Sequence, residues 1–109
     1  MKNDTIYLRH ILEAIEKIEH YLLNTTYKSF SANDMMIDAV VRELEIIGEA
    51  SSKLSKEFKD NHPDVAFRDA TDMRNFLIHE YFGVRKEIVW ETCQEDLPKV
   101  KKLIDDLLD

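Results

Sequence analysis

Glycine, proline and cysteine are scarce in this chain of 109 residues, which has two glycines, two prolines and one cysteine. Because residues that break helices are so few, the sequence predicts long helices and excludes a β fold with many turns. One cysteine cannot form a disulfide within the chain, and we expect Cys93 to be a buried structural thiol, since it lies in an apolar helical stretch. No apolar run approaches the roughly 18 residues of a membrane span, and the first residues lack the apolar stretch of a signal peptide. The sequence therefore predicts a cytoplasmic protein.

Positive charge is also in short supply. The chain has 15 lysines and arginines against 22 aspartates and glutamates, and its net charge is −7. A protein that binds nucleic acid over a broad surface needs many cations to neutralise phosphates. The composition excludes that mode of binding for the chain as a whole, so any contact with RNA must be local.

Apolar residues at helical spacing are abundant, and the length fits one domain over residues 1–109. In the first helix, capped by Asp4 or Thr5, they repeat every three or four residues, at Leu8, Ile11, Leu12, Ile15, Ile18 and Leu22. The run Asn24-Thr25-Thr26 ends that helix. A second helix is predicted to begin with a capping box at Ser31 and Asp34 and to run to about Phe58, with Met36, Val40, Leu44, Ile47, Leu54 and Phe58 facing inward. Gly48 within it favours close packing of two helices.

The Asn61-His62-Pro63 break separates this helix from a third, predicted from about Phe67 to Tyr81, with Gly83 as a stop signal. A fourth helix is predicted from Lys86 to Asp96. Pro98 then forces a kink or a restart, and Asp96 can cap a last helix over Lys99–Leu108. The pattern predicts an all-α, up-and-down bundle of four to five helices.

Most enzyme motifs are missing. The four histidines are scattered without metal-ligand spacing, and most carboxylates are spaced like those of solvated helix faces. There is no glycine-rich phosphate loop and no nucleophile elbow. We therefore expect neither a metal nor a cofactor, and we exclude a nucleotide-dependent enzyme and an α/β hydrolase.

The segment Asp72–Tyr81 is where chemistry could reside. On a helix, Asp72, Asn75 and His79 fall on the side away from the apolar face, with Asn75 and His79 one turn apart. Arg74 and Tyr81 are two turns apart on a neighbouring stripe. Four residue types suited to phosphate chemistry are thus collected off the core face of one predicted helix.

These residues fit cleavage of a phosphodiester. Arg74 offers a fork of donors that matches phosphate oxygens. His79 can exchange a proton near neutral pH, as base for a ribose 2′-hydroxyl or as acid for the leaving oxygen. Asn75 could hold the imidazole or the phosphate. Exposed arginine and histidine are common on helices, so the pattern also fits an ordinary helix surface.

The stretch Arg74-Asn75-Phe76-Leu77-Ile78-His79-Glu80-Tyr81 resembles the Arg-x4-His-x-Tyr signature of the HepT-like branch of HEPN domains. Ile46-Ile47-Gly48-Glu49-Ala50 resembles the Ile-Gly-Glu-Ala segment of that family. Further similar segments follow in the expected order: His62 through Arg68, Val89-Trp90-Glu91 and Asp96-Leu97-Pro98. Phe67 departs from the family, where many members have tryptophan. The resemblance covers nearly the whole chain and implies a HEPN-like fold.

The resemblance further implies the toxin of a toxin–antitoxin pair, acting as a metal-independent ribonuclease on RNA such as tRNA or mRNA. The catalytic arginine and histidine correspond to Arg74 and His79. Members form homodimers in which two motif helices meet at a cleft. Their antitoxin is a minimal nucleotidyltransferase that adds AMP to a tyrosine, here Tyr81.

Some assignments stay open. Tyr81 could instead be a hydrogen-bonded interface tyrosine. Glu49 and Asp72 are candidates to support the site, although Glu49 could equally be a solvated helix residue. The whole chain could be a non-catalytic HEPN module that binds nucleotide or substrate beside a nucleotidyltransferase, as its acidity favours, or a purely structural helical protein.

Overall fold

The computed structural model describes residues 2–62 and 85–108, which form a helical framework. In chain order its elements are α1 (Lys2–Tyr21), α2 (Tyr27–Ser31), α3 (Asp34–Ser52), α4 (Lys56–Asn61), α5 (Lys86–Glu91), a π-helical turn (Thr92–Asp96) and α6 (Leu97–Leu108). The predicted all-α, HEPN-like bundle is confirmed, and no strand occurs in these two stretches. The predicted third helix, Phe67–Tyr81, and its stop at Gly83 lie outside the described residues. Within those residues, every helix is too short or too polar to cross a membrane.

The core lies mainly between α1 and α3, which pack side by side along most of their length. The start of α1 lies beside the residues that follow α3, so the two helices are antiparallel. The predicted apolar stripes are confirmed: all but Leu12 and Met36, which are half-buried, lie in the core. The fully buried apolar side chains include Ile11, Ile15, Ile18, Phe30, Val40, Ile47, Val89, Val100 and Ile104. Gly48 is buried within α3.

The start of α1 differs from the prediction. The helix begins at Lys2, so Asp4 lies inside the first turn and does not cap it. Its carboxylate instead accepts hydrogen bonds from the backbone N–H and the hydroxyl of Ser55. The predicted end is confirmed, because α1 stops at Tyr21 and Asn24 adopts a positive φ of 59°, which asparagine tolerates better than most residues.

The predicted capping box at Ser31 and Asp34 is wrong. Ser31 is the last residue of α2, a short helix that the sequence pattern did not predict. The cap of α3 is Asn33, whose side-chain oxygen accepts a hydrogen bond of 3.0 Å from the N–H of Met36. Asn33, rather than Ser31, therefore satisfies a free backbone N–H in the first turn of α3.

The predicted second helix, from Asp34 to about Phe58, is two helices. The first, α3, ends at Ser52. The second, α4, is capped by Ser55, whose hydroxyl oxygen accepts a hydrogen bond of 3.0 Å from the N–H of Phe58. Leu54 and Phe58 are both buried, so the apolar pattern continues across a break in the backbone. That continuity is why the pattern predicted one helix.

Pro98 does not restart the helix, because helical backbone continues without a break from Lys86 to Leu108. The backbone passes from α5 to α6 through the π-helical turn, in which the N–H of Leu97 bonds to the carbonyl of Thr92. Proline cannot donate a backbone hydrogen bond, and wider turns of this kind absorb such interruptions within a helix. Asp96 lies inside this turn, so the prediction that it caps the last helix is wrong.

An aromatic cluster joins α2 to α5. The ring of Trp90 lies 5.3 Å from that of Phe30 and 5.9 Å from that of Tyr27, measured between centroids. Cys93, one turn further on, is buried as predicted, and burial raises the pKa of its thiol to about 12. The thiol is therefore protonated at neutral pH and serves as an apolar packing group.

Candidate functional site

The motif residues Arg74, Asn75, His79 and Tyr81, and the supporting candidate Asp72, lie outside the described residues. Of the candidates predicted from the sequence, Glu49 alone falls within them. The described residues show how the chain is anchored on both sides of segment 63–84, and they reveal a groove that contains Glu49.

The anchor before segment 63–84 is the Asp4–Ser55 contact. One oxygen of the Asp4 carboxylate lies 2.8 Å from the backbone nitrogen of Ser55, and the other lies 2.7 Å from its hydroxyl oxygen. Burial acts to raise the pKa of Asp4, but these two hydrogen bonds favour the charged form, and the net effect is a lowered pKa. The charged carboxylate thus fixes the start of α4, and the buried Phe58 ring and the His62 ring lie 4.6 Å apart at its end.

The anchor after the segment is at the start of α5. The ammonium of Lys86 donates a hydrogen bond of 2.9 Å to the backbone carbonyl of Ser31, at the end of α2. Val89 follows one turn later and is buried in the core. Tertiary contacts therefore hold the described residues on both sides of segment 63–84 in place.

Residues of α1 and α3 line a groove of about 410 Å³, here called the α1–α3 groove. Its lining residues are Tyr7, His10, Arg42, Glu45, Ile46, Glu49, Ala50 and Lys53. Four of them, at positions 42, 45, 46 and 49, lie at helical spacing on one face of α3, and Lys53 follows one turn later as the C-cap of the helix. The face combines two cations, two carboxylates and an apolar residue.

Charge in the α1–α3 groove is arranged in ion pairs along α3. The ammonium of Lys53 lies 3.6 Å from the Glu49 carboxylate, and the guanidinium of Arg42 lies 3.9 Å from that of Glu45. The Lys53 ammonium also lies 6.0 Å from the centre of the Tyr7 ring, within range of a cation–π interaction. Glu49 is thus half-exposed and engaged with a cation.

Sequence reasoning missed the α1–α3 groove. The signal on α3 was present, because charges at positions 42, 45, 49 and 53 recur at helical spacing. That spacing also describes an ordinary solvated helix face. The contribution of Tyr7 and His10 depends on how α1 packs against α3, which no local pattern reveals.

The other described histidines do not gather into a site. His20 is exposed in the last turn of α1, and His62 follows α4. Among residues 2–62 and 85–108, no three histidine, cysteine, aspartate or glutamate side chains are grouped to hold a metal ion.

Comparison with known families decides the identity of this helical chain. The family described as "Ribonuclease HepT-like" matches residues 11–107, which is most of the chain. The chain belongs to the HepT-like ribonuclease family. The HEPN-like resemblance carried by segments from Ile46–Ala50 to Asp96–Pro98 is thereby confirmed, and the chain is assigned as a ribonuclease of that family.

Named relatives agree with this membership. A Caldanaerobacter subterraneus protein named "Putative RNase" is 39% identical over 99% of this HepT-like chain and 96% of its own length. "Probable ribonuclease HepT" of Thermococcus cleftensis is 43% identical over 87% of this chain and 86% of its own length. The chain is also 42% identical to a Methanocaldococcus jannaschii protein named "Gamma-glutamylcyclotransferase and putative RNase", but spans only 46% of that protein's length. No solved structure matches the chain significantly.

Proposed function

We propose that this HepT-like ribonuclease is the metal-independent toxin of a toxin–antitoxin pair, and that Arg74 and His79 cleave its RNA substrate in the cytoplasm. The observation that carries the proposal is the Arg74-x4-His79-x-Tyr81 pattern within a chain that belongs to this family. Relatives named as RNases of similar length support it.

The cleavage step uses groups that the chain itself supplies. One His79 imidazole removes the proton of a ribose 2′-hydroxyl, and the oxygen attacks the adjacent phosphorus. Arg74 stabilises the negative charge that develops on the phosphoryl oxygens. The bond from phosphorus to the 5′-oxygen breaks, and a protonated imidazole donates its proton to that oxygen. The products carry a 2′,3′-cyclic phosphate and a 5′-hydroxyl, and Asn75 orients the imidazole or the phosphate.

A homodimer supplies what one chain lacks. Cleavage needs both a base and an acid, and each chain offers a single motif histidine, His79. We propose one domain per chain, over residues 1–109, with the two motif segments facing one cleft. Two copies of Arg74 would then create a local positive field on a protein of net charge −7.

Supporting roles are assigned to Glu49 and Asp72. Glu49 belongs to the family-like segment Ile46–Ala50, is half-exposed on α3 and forms an ion pair with Lys53. This arrangement suits a residue that orients a cation beside a substrate. For Asp72 the proposal rests on its predicted position one turn before Asn75.

The antitoxin is proposed to be a minimal nucleotidyltransferase that adds AMP to Tyr81. The added phosphodiester brings negative charge and bulk two residues from His79. An RNA phosphate would be repelled electrostatically and blocked sterically there. Modification would therefore switch off cleavage without unfolding the bundle.

The ribonuclease proposal is tested by incubating RNA with the unmodified chain in EDTA, beside His79→Ala and the control His20→Ala. His20 is an exposed histidine on α1, outside the motif. We expect the parent and the control to cleave alike, and His79→Ala to lose about a hundredfold or more in rate. Equal cleavage by His79→Ala, or abolition of the parent's cleavage by EDTA, would contradict the mechanism.

The toxin role is tested by expressing the chain alone and together with a neighbouring nucleotidyltransferase gene. We expect growth arrest with the chain alone, relief on co-expression, and an added mass of one AMP group that Tyr81→Phe abolishes. Tyr81→Phe should also stay toxic in the presence of the partner. Relief of toxicity without any modification at Tyr81 would refute this mode of neutralisation.

The second candidate is a non-catalytic module that binds nucleotide or substrate beside a nucleotidyltransferase. The net charge of −7 favours it, because an acidic surface disfavours broad contact with RNA. It predicts that the dimeric, unmodified chain leaves RNA intact and that expression alone does not arrest growth.

A further inference from the structure

The α1–α3 groove has the size and chemistry of a site for part of a nucleic acid strand. Its volume of about 410 Å³ falls within the usual range of small-ligand sites. Its lining combines cations, carboxylates and two aromatic rings. Apolar docking grooves lack this density of charge, so the lining favours a polar, charged occupant.

Two cations mark the ends of the groove along α3. Arg42 and Lys53 are eleven residues apart, which corresponds to about 16 Å along a helix. Their side chains are 69% and 53% exposed, so both can contact a ligand. Their present ion pairs with Glu45 and Glu49 are at the surface and therefore weak. Phosphate groups of one strand can thus contact both cations with little loss of internal stability.

Aromatic rings form the opposite wall. Tyr7 and His10 line the groove from α1, and their rings meet edge to face with centroids 6.2 Å apart. Tyrosine and histidine rings are the usual partners of unstacked bases in single-stranded RNA. The Lys53 ammonium near the Tyr7 ring places a phosphate-binding group beside a stacking surface.

Carboxylates occupy the stretch of α3 between the two cations. Glu45 and Glu49 lie one turn apart there, with Ile46 beside them. Carboxylates repel phosphates but accept hydrogen bonds from the amino groups of bases. The order of cation, two carboxylates and cation therefore suits a short strand with phosphates at the ends and bases between them.

The same order disfavours a second copy of the chain as the occupant. Antiparallel packing of two such faces about a twofold axis would bring Arg42 of one copy towards Lys53 of the other, and Glu45 towards Glu49. Like charges would then face each other, which is unfavourable. RNA can place its phosphates at the two cations and its base amino groups at the two carboxylates.

We propose that the α1–α3 groove binds a short stretch of single-stranded RNA outside the scissile bond and so selects the substrate. The proposal rests on the ribonuclease function proposed above. It assigns phosphate contacts to Arg42 and Lys53, base stacking to Tyr7 and His10, and contacts with base amino groups to Glu45 and Glu49.

Binding is tested with a fluorescent 2′-O-methyl oligoribonucleotide, which lacks the attacking hydroxyl and cannot be cleaved by this route. Its affinity for the full-length chain is measured by anisotropy at several salt concentrations. For Arg42→Ala and Lys53→Ala we expect weaker binding. The slope of log affinity against log salt concentration should become less steep by roughly 0.7 per cation removed. Lys56→Ala is the matched control, because Lys56 forms an equivalent ion pair with Asp60 at four-residue spacing outside the groove.

Stacking is tested at Tyr7. We expect Tyr7→Ala to weaken binding about fivefold or more, and Tyr7→Phe to keep the parent's affinity, because the ring carries the contact. Thermal unfolding of each variant separates loss of binding from loss of folding. In cleavage assays Arg42→Ala and Tyr7→Ala should raise KM and leave kcat near that of the parent, since the proposal assigns them contacts with RNA outside the scissile bond.

The outcomes separate this proposal from the one on which it rests. Binding with the predicted salt slopes but without cleavage of ordinary RNA supports the groove and overturns the catalytic proposal. If the parent cleaves RNA, and the groove variants match Lys56→Ala in RNA affinity, salt slope and KM, the groove proposal alone is overturned. Absence of oligonucleotide binding by the parent overturns it too. If Arg42→Ala or Lys53→Ala loses the dimer but keeps the parent's RNA affinity, the groove is an interface with a second copy. That result also overturns the groove proposal.

Discussion

Asp4 shows how one residue can determine structure far from its place in the sequence. It is 4% exposed and bonds to Ser55, 51 positions later. The sequence places it at a helix start, where an aspartate usually caps its own helix. Its real partner depends on how α1 and α3 pack, so local reasoning could not find it.

We expect Asp4→Ala to lower the free energy of unfolding by about 1–3 kcal/mol, because it removes two charge-assisted hydrogen bonds and leaves the Ser55 N–H without its acceptor. Urea denaturation of the two proteins measures the difference. Asp38→Ala, an exposed position on α3, is the control and should change stability by less than about 0.5 kcal/mol. Equal stability of parent and Asp4→Ala would show that the contact contributes nothing.

The stability supplied by Asp4 should depend on pH. Its pKa is lowered in the folded protein because the hydrogen bonds from Ser55 outweigh the effect of burial. The contribution is therefore complete above the unfolded pKa of about 4 and is lost as the pH falls through the lower, folded pKa. The stability difference between parent and Asp4→Ala should shrink below about pH 4. A difference that grows in acid would contradict this assignment.

Elements were easier to predict than their boundaries. The stripe that includes Ile11, Ile15 and Ile18 identified the buried face of α1 because burial follows helical spacing. The break between α3 and α4 was missed, since Leu54 and Phe58 extend the same apolar pattern. The sequence does contain a signal for the start of α4, because Ser55 directly precedes Lys56-Glu57, a polar start typical of a capped helix.

The cap of α3 provides a test at the scale of the element. Asn33→Ala should lower the free energy of unfolding by about 1 kcal/mol, because the N–H of Met36 loses its acceptor. Ser31→Ala, at the position that the sequence pattern favoured, should change it far less. Thermal or urea unfolding distinguishes them, and a larger loss at Ser31 than at Asn33 would favour the capping box.

The candidate site has two parts: motif residues within one short segment, and a groove whose residues come from two helices. Arg74, Asn75, His79 and Tyr81 lie within eight residues, so their chemistry can be recognised from the sequence. The α1–α3 groove joins Tyr7 and His10 to residues more than thirty positions away. Helix packing creates that groove, although Ile46, Glu49 and Ala50 in its lining belong to the family-like segment Ile46–Ala50.

At the scale of the whole molecule, acidity constrains how the protein meets RNA. With a net charge of −7, cations can promote binding only where they are concentrated. The proposed dimer cleft with two copies of Arg74 meets that requirement, whereas the α1–α3 groove offers two exposed cations, Arg42 and Lys53, each beside a carboxylate. We therefore expect short single-stranded substrates and binding that weakens as salt rises.

The most direct test of the central claim uses one oligoribonucleotide with a known cleavage position, and a second in which the 2′-hydroxyl at that position is replaced by hydrogen. Mass spectrometry identifies the ends that the unmodified chain produces in EDTA. We predict a 2′,3′-cyclic phosphate and a 5′-hydroxyl from the first oligonucleotide, no cleavage of the second, and cleavage of the first by His79→Ala that is slower by about a hundredfold or more. Cleavage of the second oligonucleotide at the same bond would contradict attack by the ribose hydroxyl, and with it the mechanism assigned to His79.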